Sequence, residues 1–411
     1  MNHLRPSSSS SFFSSSAGVV RDLIQPRLTA IWSERYFEGS CFDLWQAHFD
    51  WLTAEGVVTA LHRDSPPVAP AGSTGHEMVD LLAQFIGQTG LVNAHLGLTS
   101  SDVCDNARLQ QVAASLGWLD VGLTQLVLNL PHALLAGLPG GPTEPCLGFT
   151  HWQPAAPLTW GWRVLAWLAP LRLASRRRPV IHAKRFGGPV GDAASLQLVL
   201  GAVPVAEALD RFDTTYWHRL GDLAAPANLT PLQSSDHVDE LAAVAWVAGI
   251  AAQLHKLAAD WRFLASQGVV EMTAPAAAGS SSLPHKHNPH RWEKVCGLCR
   301  SAATVQQEMW DVAAHNSCER TLDTSWQIKH ALPRMFLAVA EAIDLLGAHP
   351  PRVRSGRDLA LLTEHSDEVN SDRELTRRVL RGEARWTAYL TALTRFAPSP
   401  PPPTAPASSS S

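Results

Sequence analysis

Apolar residues recur at helical spacing along most of this chain. Five segments combine that spacing with the length of a long helix, namely residues 102–135, 157–176, 236–267, 290–315 and 324–346. Apolar positions three and four residues apart lie on one face of a helix, whereas a half-buried strand alternates apolar and polar residues. No convincing alternating run and no Asn-Gly hairpin signal occurs along the chain. The pattern therefore predicts an all-α fold.

The length of these helices points to an oligomer. Several exceed about 25 residues, which corresponds to roughly 38 Å of helix. Such long apolar helices usually form a bundle that continues across a subunit interface. Charged residues make up 17% of the chain, below the roughly 25% typical of soluble domains. We therefore expect apolar helix faces that are covered by other subunits.

The chain has 411 residues, more than one compact core usually accommodates. We expect a helical N-terminal domain, a central long-helix domain with a loop at 274–290, and a short helical C-terminal domain. Ser- and Pro-rich segments at the two ends predict disordered tails. The predicted boundaries are 1–20 (tail), 21–101, 102–346, 347–397 and 398–411 (tail).

Composition limits the partners and the compartment. The net charge of −4 gives no indication of a nucleic-acid partner. The longest nearly apolar run, residues 241–254, is shorter than the roughly 20 residues that cross a bilayer. We therefore expect a buried core helix and no membrane partner. Six scattered cysteines are typical of a reducing, cytoplasmic compartment, although the Ser-rich, acid-free N-terminus has some features of an organelle transit peptide.

Two polar segments lie just before long helices. Residues 95–102 end in Thr99, Ser100, Ser101 and Asp102, and hydroxyls with free N–H groups at a helix N-terminus can bind an anion. The same residue types also cap helices. Residues 148–154 place His151 in a Gly- and Pro-bounded loop, where it can exchange a proton near neutral pH or act only structurally.

Residues 279–289 read GSSSLPHKHNP and carry the most specific pattern. A Gly-Ser-Ser turn can direct several backbone N–H groups at one serine oxygen. Lys286 and Asn288 supply donors suited to a carboxylate. The histidines in and beside this segment fit no standard zinc spacing, so no metal is predicted.

A fourth segment, residues 319–325, is followed by Lys329. Its basic and hydroxyl side chains are able to hold an anionic substrate. A solvated helix start explains the same residues.

In combination and in this order, these segments resemble the fumarase/aspartase superfamily, whose signature loop reads G-S-S-x-M-P-x-K-x-N-P. Here Leu283 stands in place of the methionine. The segments LGLTSSDVCDNA, LGFTHWQPA, ERTLDTS and HRWEKVCGLCR are most similar to the adenylosuccinate lyase family. The resemblance covers residues 28–345.

The resemblance implies three helical domains, a homotetramer with active sites shared between chains, and no metal or organic cofactor. It implies elimination of fumarate from a succinyl adduct, namely conversion of adenylosuccinate to AMP and fumarate in purine biosynthesis. Ser280 would be the base and His151 the acid. The implied substrate-binding residues are His76, Thr99, Ser100, Gln233, Lys286, Asn288, Lys294, Arg320, Ser325 and Lys329.

Several positions depart from that family on its nucleotide-contacting side. Lys294 and Lys329 stand where the family has arginine, and lysine keeps the charge but loses the forked phosphate geometry. Gly75 and Glu77 replace an arginine and an aspartate beside His76, and the C-terminal domain is shortened. Two alternatives therefore stay open. One is a related lyase or cycloisomerase acting on a different succinyl or dicarboxylate substrate, and the other is a catalytically silent helical paralogue.

Overall fold

A computed structural model describes residues 24–58, 74–272, 279, 282–283, 285 and 287–396. Helices make up nearly all of the regular structure there. They are α1 (Ile24–Ile31), α2 (Glu34–Ala54), α3 (Glu77–Thr89), α4 (Ser100–Leu135), α5 (Trp160–Ser175), α6 (Ala194–Leu200), α7 (Val205–Thr215), α8 (Val238–Ser266), α9 (His290–His315), α10 (Asp323–Ala348), α11 (Ser355–Glu364), α12 (Ser366–Leu380) and α13 (Arg385–Phe396).

The strands of the described residues form two small antiparallel pairs. β1 (Pro145–Thr150) pairs with β2 (Gln153–Thr159), and β3 (Val270–Glu271) pairs with β4 (Arg352–Val353). Neither pair extends into a larger sheet. The prediction of an all-α fold is confirmed.

The five predicted long helices are present as α4, α5, α8, α9 and α10. Helix α9 spans the predicted residues, and the other helix ends differ from the prediction by up to three residues. The largest difference is at α5, because residues 157–159 belong to β2. The preceding run of small apolar residues has no alternation, so the pattern did not reveal a strand there.

The described residues divide into two compact units. The first contains the described residues within Met1–Leu130, Trp167–Phe263 and Met272–Pro351, and the second contains the described residues within Pro131–Ala166, Leu264–Glu271 and Arg352–Ser411. The three-domain boundaries expected from the sequence stay a prediction.

In the first unit, helix α4 is buried on every side from residue 101 to residue 119. Helices α1 and α9 both pack on α10, and Trp32 stacks on Phe336 of α10 with the ring centroids 5.5 Å apart. Although it is buried, α4 carries Asp102, Asp105 and Arg108. Buried charges are costly unless they are paired, so α4 must contact other polar groups.

In the second unit, the β1–β2 hairpin packs against α11 and α12. Asp358 of α11 is buried, and its carboxylate accepts hydrogen bonds from Trp160 Nε1 at 2.9 Å and from the Leu147 backbone N–H at 3.3 Å. Burial raises the pKa of Asp358, although these bonds oppose the rise. The contacts attach the hairpin to α11.

Helix α8 is long and apolar enough to cross a membrane by length and composition alone. However, 56% of its most apolar window is buried inside the protein, and buried core helices pass the same test. The exposed positions of α8 are mostly small residues, including Ala242, Ala245, Gly249 and Ala252.

Candidate active site

The first turn of α4 is held by Asp102. Thr99 immediately precedes the helix, and its backbone N–H donates to Asp102 Oδ2 at 2.9 Å. This is the reciprocal half of a helix capping box. The backbone N–H groups of Gly187 and Gly188 also donate to the Asp102 carboxylate, each at 2.9 Å. The capping interpretation of this segment therefore applies, and the role of Thr99 and Ser100 in substrate binding stays a prediction.

Lys184 neutralises Asp102 inside the protein. Its Nζ lies 2.6 Å from Asp102 Oδ1, and the two side chains are 4% and 0% exposed. Asn106, one turn further along α4, exchanges hydrogen bonds with the Lys184 backbone in both directions, at 2.8 and 2.9 Å. The Lys184–Asp102 ion pair and the Asn106 hydrogen bonds thus fix the start of α4 to the segment around Lys184.

The predicted residue Gln233 lies against this helix start. Its backbone carbonyl accepts a hydrogen bond from Ser101 Oγ at 2.5 Å. Two residues later, the Ser235 backbone N–H donates to Asp105 Oδ2 at 3.0 Å. The buried Gln233 Oε1 receives no hydrogen bond from the described residues. A buried acceptor without a donor is costly, so this oxygen is suited to a donor on a ligand.

The predicted residues Arg320 and Ser325 lie beside the Gln233 segment. Arg320 Nη2 donates to Ser325 Oγ at 3.2 Å. Ser234 Oγ donates to the Glu319 carbonyl at 3.2 Å and accepts from Asn316 Nδ2 at 2.9 Å. The structure therefore brings together three groups of predicted residues that are far apart in sequence.

A buried charge cluster, which includes Asp105, Arg108 and Lys184, lies next to these groups. Burial opposes ionisation of Asp105, but the charges of Arg108, Lys184 and Arg320 lower its pKa below the ordinary value. Arg108 Nη2 is 3.0 Å from Asp105 Oδ1. The sequence pattern did not predict this cluster, although charged residues within the apolar pattern of α4 were a signal for it.

His237 and Glu240 extend the cluster at the start of α8. His237 is buried with a φ of 60°, and its Nδ1 lies 3.2 Å from Glu240 Oε1. Burial lowers the pKa of His237, but the hydrogen bond and the charge of Glu240 raise it overall. Ser235 Oγ donates to the same carboxylate at 3.2 Å, which fixes the segment that follows Gln233.

The two predicted anion-binding lysines are both paired within the chain. Lys329 Nζ contacts Glu77 Oε2 and also lies 5.4 Å from the ring centroid of Trp326. Lys294 Nζ contacts Glu341 Oε1. All four side chains are at least partly exposed. The lysines therefore do not meet in one chain, because Glu341 lies about three helical turns after Lys329 on α10.

His76 precedes α3 and is exposed. Its backbone N–H donates to Thr74 Oγ1 at 3.3 Å, and its side chain makes no capping hydrogen bond to the helix. Because the neighbouring residue Glu77 contacts Lys329 of α10, His76 lies near the same part of the first unit as Lys329.

His151 lies in the second unit at the tip of the β1–β2 hairpin. The segment expected as a loop is therefore a hairpin, with Thr150 opposite Gln153 and a turn formed by His151 and Trp152. Both turn residues are exposed. The hairpin presents the imidazole to solvent, and the role of His151 as the acid stays a prediction.

Ser280 and Lys286 lie outside the described residues. Asn288 is half-buried just before α9, which begins at His290. The assignments of Ser280, Lys286 and Asn288 stay predictions. Among the described residues, no group of three or more His, Cys, Asp or Glu side chains is arranged to hold a metal ion.

A cavity of about 410 Å³ lies beside the buried charge cluster. Lys184, Arg185, His182 and Asp239 line it, together with Ser235. His182 Nδ1 lies 3.0 Å from Asp239 Oδ2. None of the predicted substrate-binding residues lines this cavity.

Comparison with known proteins finds a lyase family model and sequence relatives that agree with it. Residues 142–303 match the lyase family model, a range that contains both His151 and Ser280. The chain is 31% identical to adenylosuccinate lyase from Schizosaccharomyces pombe over 260 residues, which is 61% of this chain and 52% of that protein. It is 33% identical to adenylosuccinate lyase from Saccharomyces cerevisiae over 251 residues, covering 59% and 50% of the two chains.

Solved structures share the fold at lower identity. A fumarate lyase from Mesorhizobium sp. superposes with a TM-score of 0.69 at 18% identity, covering 90% of this chain and 85% of that one. The 3-carboxy-cis,cis-muconate lactonizing enzyme from Pseudomonas putida gives a TM-score of 0.69 at 22% identity, with 90% and 84% covered.

The chain spans about half the length of the yeast relatives that it matches. Within that span, the family match, the sequence relatives and the all-helical fold agree with one another. The resemblance of this chain to the fumarase/aspartase superfamily, and within it to adenylosuccinate lyase, is thus confirmed.

Proposed function

We propose that this protein is a lyase that converts adenylosuccinate to AMP and fumarate. The observation that carries the proposal is the sequence similarity to adenylosuccinate lyases, because the matched lyase region contains the predicted acid and base. The three groups of predicted residues that meet beside the start of α4 support it. We further propose a cytoplasmic role in purine biosynthesis.

The proposed reaction is an elimination. Ser280 removes a proton from the carbon beside a substrate carboxylate, and the electrons of that C–H bond form the C=C bond of fumarate as the C–N bond breaks. His151 donates a proton to the departing nitrogen. Charge that develops on the carboxylate requires positive and hydrogen-bonding groups, for which Lys286 and Asn288 are suited.

We propose that the protein acts as a homotetramer that combines segments of several chains at each site. This accounts for the exposed small residues along α8, because small residues allow helices to approach closely. In such an assembly, Lys294 and Lys329 of one chain can contribute to two different active sites.

A related lyase or cycloisomerase acting on a different succinyl compound is the second candidate. The observation that favours it is the pairing of Lys329 with Glu77 and of Lys294 with Glu341. Both lysines are already neutralised, which reduces their attraction for a phosphate.

Replacement of the proposed base tests the mechanism. Ser280→Ala should lower kcat by at least about a hundredfold while substrate binding is largely kept, because the base acts only in the transition state. Ser282→Ala, in the same loop and exposed, should keep near-parent activity. The readout is fumarate absorbance during turnover of adenylosuccinate. Near-full activity of Ser280→Ala would assign the base to another group, such as Ser281.

A further inference from the structure

Two buried side chains of opposite charge hold the base of the β1–β2 hairpin. Asp358 of α11 is 0% exposed, and Arg163 of α5 is 8% exposed. Burial raises the pKa of Asp358, and the charge of Arg163 opposes that rise. Both side chains contact Leu147 of β1 and Trp160, the residue that follows β2. The pair therefore connects the two strands of the hairpin at the end opposite the turn.

Leu147 uses both of its backbone polar groups in these contacts. Its N–H donates to Asp358 Oδ1 at 3.3 Å, and its carbonyl accepts a hydrogen bond from Arg163 Nη2. Pro157, which lies opposite Leu147 in β2, has no N–H to donate. The backbone groups at the edge of a buried strand must be satisfied by another strand or by side chains. Asp358 and Arg163 thus take the place of a third strand at Leu147.

Trp160 is held at its edge and on its face. Its Nε1–H donates to Asp358 Oδ2 at 2.9 Å, and Arg163 Cζ lies 4.9 Å from the centroid of its ring. A cation above an indole face is attracted by the electrons of the ring. Because Trp160 directly follows Thr159, the last residue of β2, these contacts fix the position where the second strand ends.

Stability alone does not account for the charged pair. Arg163 Nη1 is buried, and no described residue accepts a hydrogen bond from it. A buried donor without an acceptor is costly, and apolar side chains of similar volume often replace buried charge pairs without loss of stability. Apolar side chains would not, however, hydrogen-bond Leu147 and Trp160 in fixed directions.

The pair lies where it can fix the direction of the hairpin. Leu147 precedes the turn residue His151 by four positions, which corresponds to roughly 13 Å of strand. A rotation of the hairpin about its base therefore moves the turn further than it moves Leu147. Misplacement of a reacting group by about 1 Å can lower a rate by roughly a hundredfold.

We propose that Asp358 and Arg163 are positioning residues that hold His151 in place for proton transfer to the departing nitrogen. They act through the backbone of the hairpin and do not contact the substrate. The inference rests on the function proposed above, in which His151 is the acid. Loss of either residue should lower kcat and leave KM nearly unchanged, because only proton transfer in the transition state is impaired.

The test is a double-mutant cycle with His151→Ala, measured as fumarate release from adenylosuccinate well below the melting temperature. Asp358→Asn keeps the shape of the side chain but turns an NH₂ group toward one of its two hydrogen-bond donors. We expect kcat to fall about ten- to a hundredfold, with KM within about twofold of the parent value. The double variant should be no slower than His151→Ala alone, because a residue that acts only through His151 has no effect once the imidazole is removed.

Substitutions of Arg163 and Trp160 extend the cycle. Arg163→Lys keeps the charge and can still donate to the Leu147 carbonyl, whereas Arg163→Met keeps only the length of the side chain. Arg163→Met should resemble Asp358→Asn, and Arg163→Lys should recover most of the kcat. Trp160→Phe removes one hydrogen bond to Asp358 and keeps an aromatic ring. It provides a milder variant for the same cycle if Asp358→Asn does not fold.

Glu364→Gln is the matched control, since Glu364 lies on α11 like Asp358 but pairs with Arg357 at the surface. It should keep the parent kcat. Effects that multiply in the double variant would overturn the inference, as would a lower melting temperature with unchanged kcat in Asp358→Asn. Parent-like activity of His151→Ala would overturn it too, because the acid would then be another group. Failure of the parent to release fumarate from adenylosuccinate would instead reject the proposed function, and this inference with it.

Discussion

At the scale of single residues, the Glu77 carboxylate competes with any bound anion for Lys329. Their ion pair leaves 62% of the Glu77 side chain and 43% of the Lys329 side chain exposed. Such exposed pairs are worth roughly 0.2 to 1 kcal/mol. A phosphate that binds Lys329 must therefore compete with a weakly held carboxylate.

Glu77→Gln should strengthen AMP binding by roughly two- to fivefold, because Lys329 loses its competing anion. Calorimetric titration of AMP into both proteins measures the change. Glu364→Gln is the matched control, since it breaks a similarly exposed pair with Arg357 in the other unit. Unchanged AMP affinity in Glu77→Gln would show that Lys329 does not bind the nucleotide.

His48 makes the stability of the fold dependent on pH. It is fully buried, its Nδ1 lies 3.0 Å from the Ala94 carbonyl, and no described residue hydrogen-bonds its Nε2. Burial lowers the pKa of His48 from 6.5 to about 3. The unfolded chain therefore binds a proton at His48 first as the pH falls, so stability is lost below about pH 6.5.

Between pH 7 and pH 5, this one group should lower the free energy of unfolding by about 2 kcal/mol. Urea denaturation at the two pH values measures the loss in the parent and in His48→Gln, whose side chain does not titrate. The variant should lose about 2 kcal/mol less than the parent over this range. Equal losses would contradict a low pKa at His48.

Residue chemistry was only partly predictable from the sequence. Gln233, Arg320 and Ser325 could be identified only from the resemblance to the family, and hydrogen bonds of their neighbours bring their segments together in the structure. The carboxylates paired with Lys294 and Lys329 were not predicted. Partners such as Glu341 and Glu77 come from distant parts of the chain, and hydrophobic periodicity carries no information about them.

At the scale of secondary structure elements, the β1–β2 hairpin determines where His151 lies. Gly148 in β1 allows the strands to approach, since a β-carbon there would lie 2.7 Å from both the Ala156 carbonyl oxygen and Leu158 Cδ2. The first of these is a backbone atom and cannot move without shifting β2.

Gly148→Ala should therefore destabilise the second unit by about 1 to 3 kcal/mol and lower the rate of elimination by displacing His151. Denaturation curves and fumarate release measure the two effects. Gly137→Ala is the control, because a β-carbon at Gly137 has no neighbour within 4 Å. Parent-like stability and activity in Gly148→Ala would show that the hairpin tolerates wider strand spacing.

Helices were predictable from the sequence where the helical spacing of apolar residues extended over many residues. The ends of helix α9, His290 and His315, match the ends predicted from its helical spacing of apolar residues. The hairpin was missed because Ala155, Ala156 and Pro157 are all small and apolar. A short run of that kind does not distinguish a strand from a helix.

At the scale of the whole molecule, α8 is the element best suited to form a subunit interface. Most of its exposed residues are small, and a β-carbon at Gly249 would meet no neighbour within 4 Å in the single chain. A larger side chain at this position is therefore compatible with the folded monomer and incompatible with a closely packed helix from another subunit.

Gly249→Glu should convert the proposed tetramer to smaller species without lowering helix content, as measured by light scattering and circular dichroism. Gly87→Glu on α3 is the control, because a β-carbon at Gly87 also meets no neighbour. It should leave the assembly unchanged. A parent protein that is monomeric in solution would contradict the oligomer proposal directly.

Fumarate release by the purified protein tests the proposed lyase activity directly. Incubation with adenylosuccinate, beside a panel of other succinyl amines, is followed by fumarate absorbance and by chromatography of the nucleotide product. AMP and fumarate should form in equal amounts, and Ser280→Ala should lower the rate of their formation by at least about a hundredfold. Fumarate release from another succinyl amine with no conversion of adenylosuccinate would contradict the proposed activity, as would the absence of turnover with every compound.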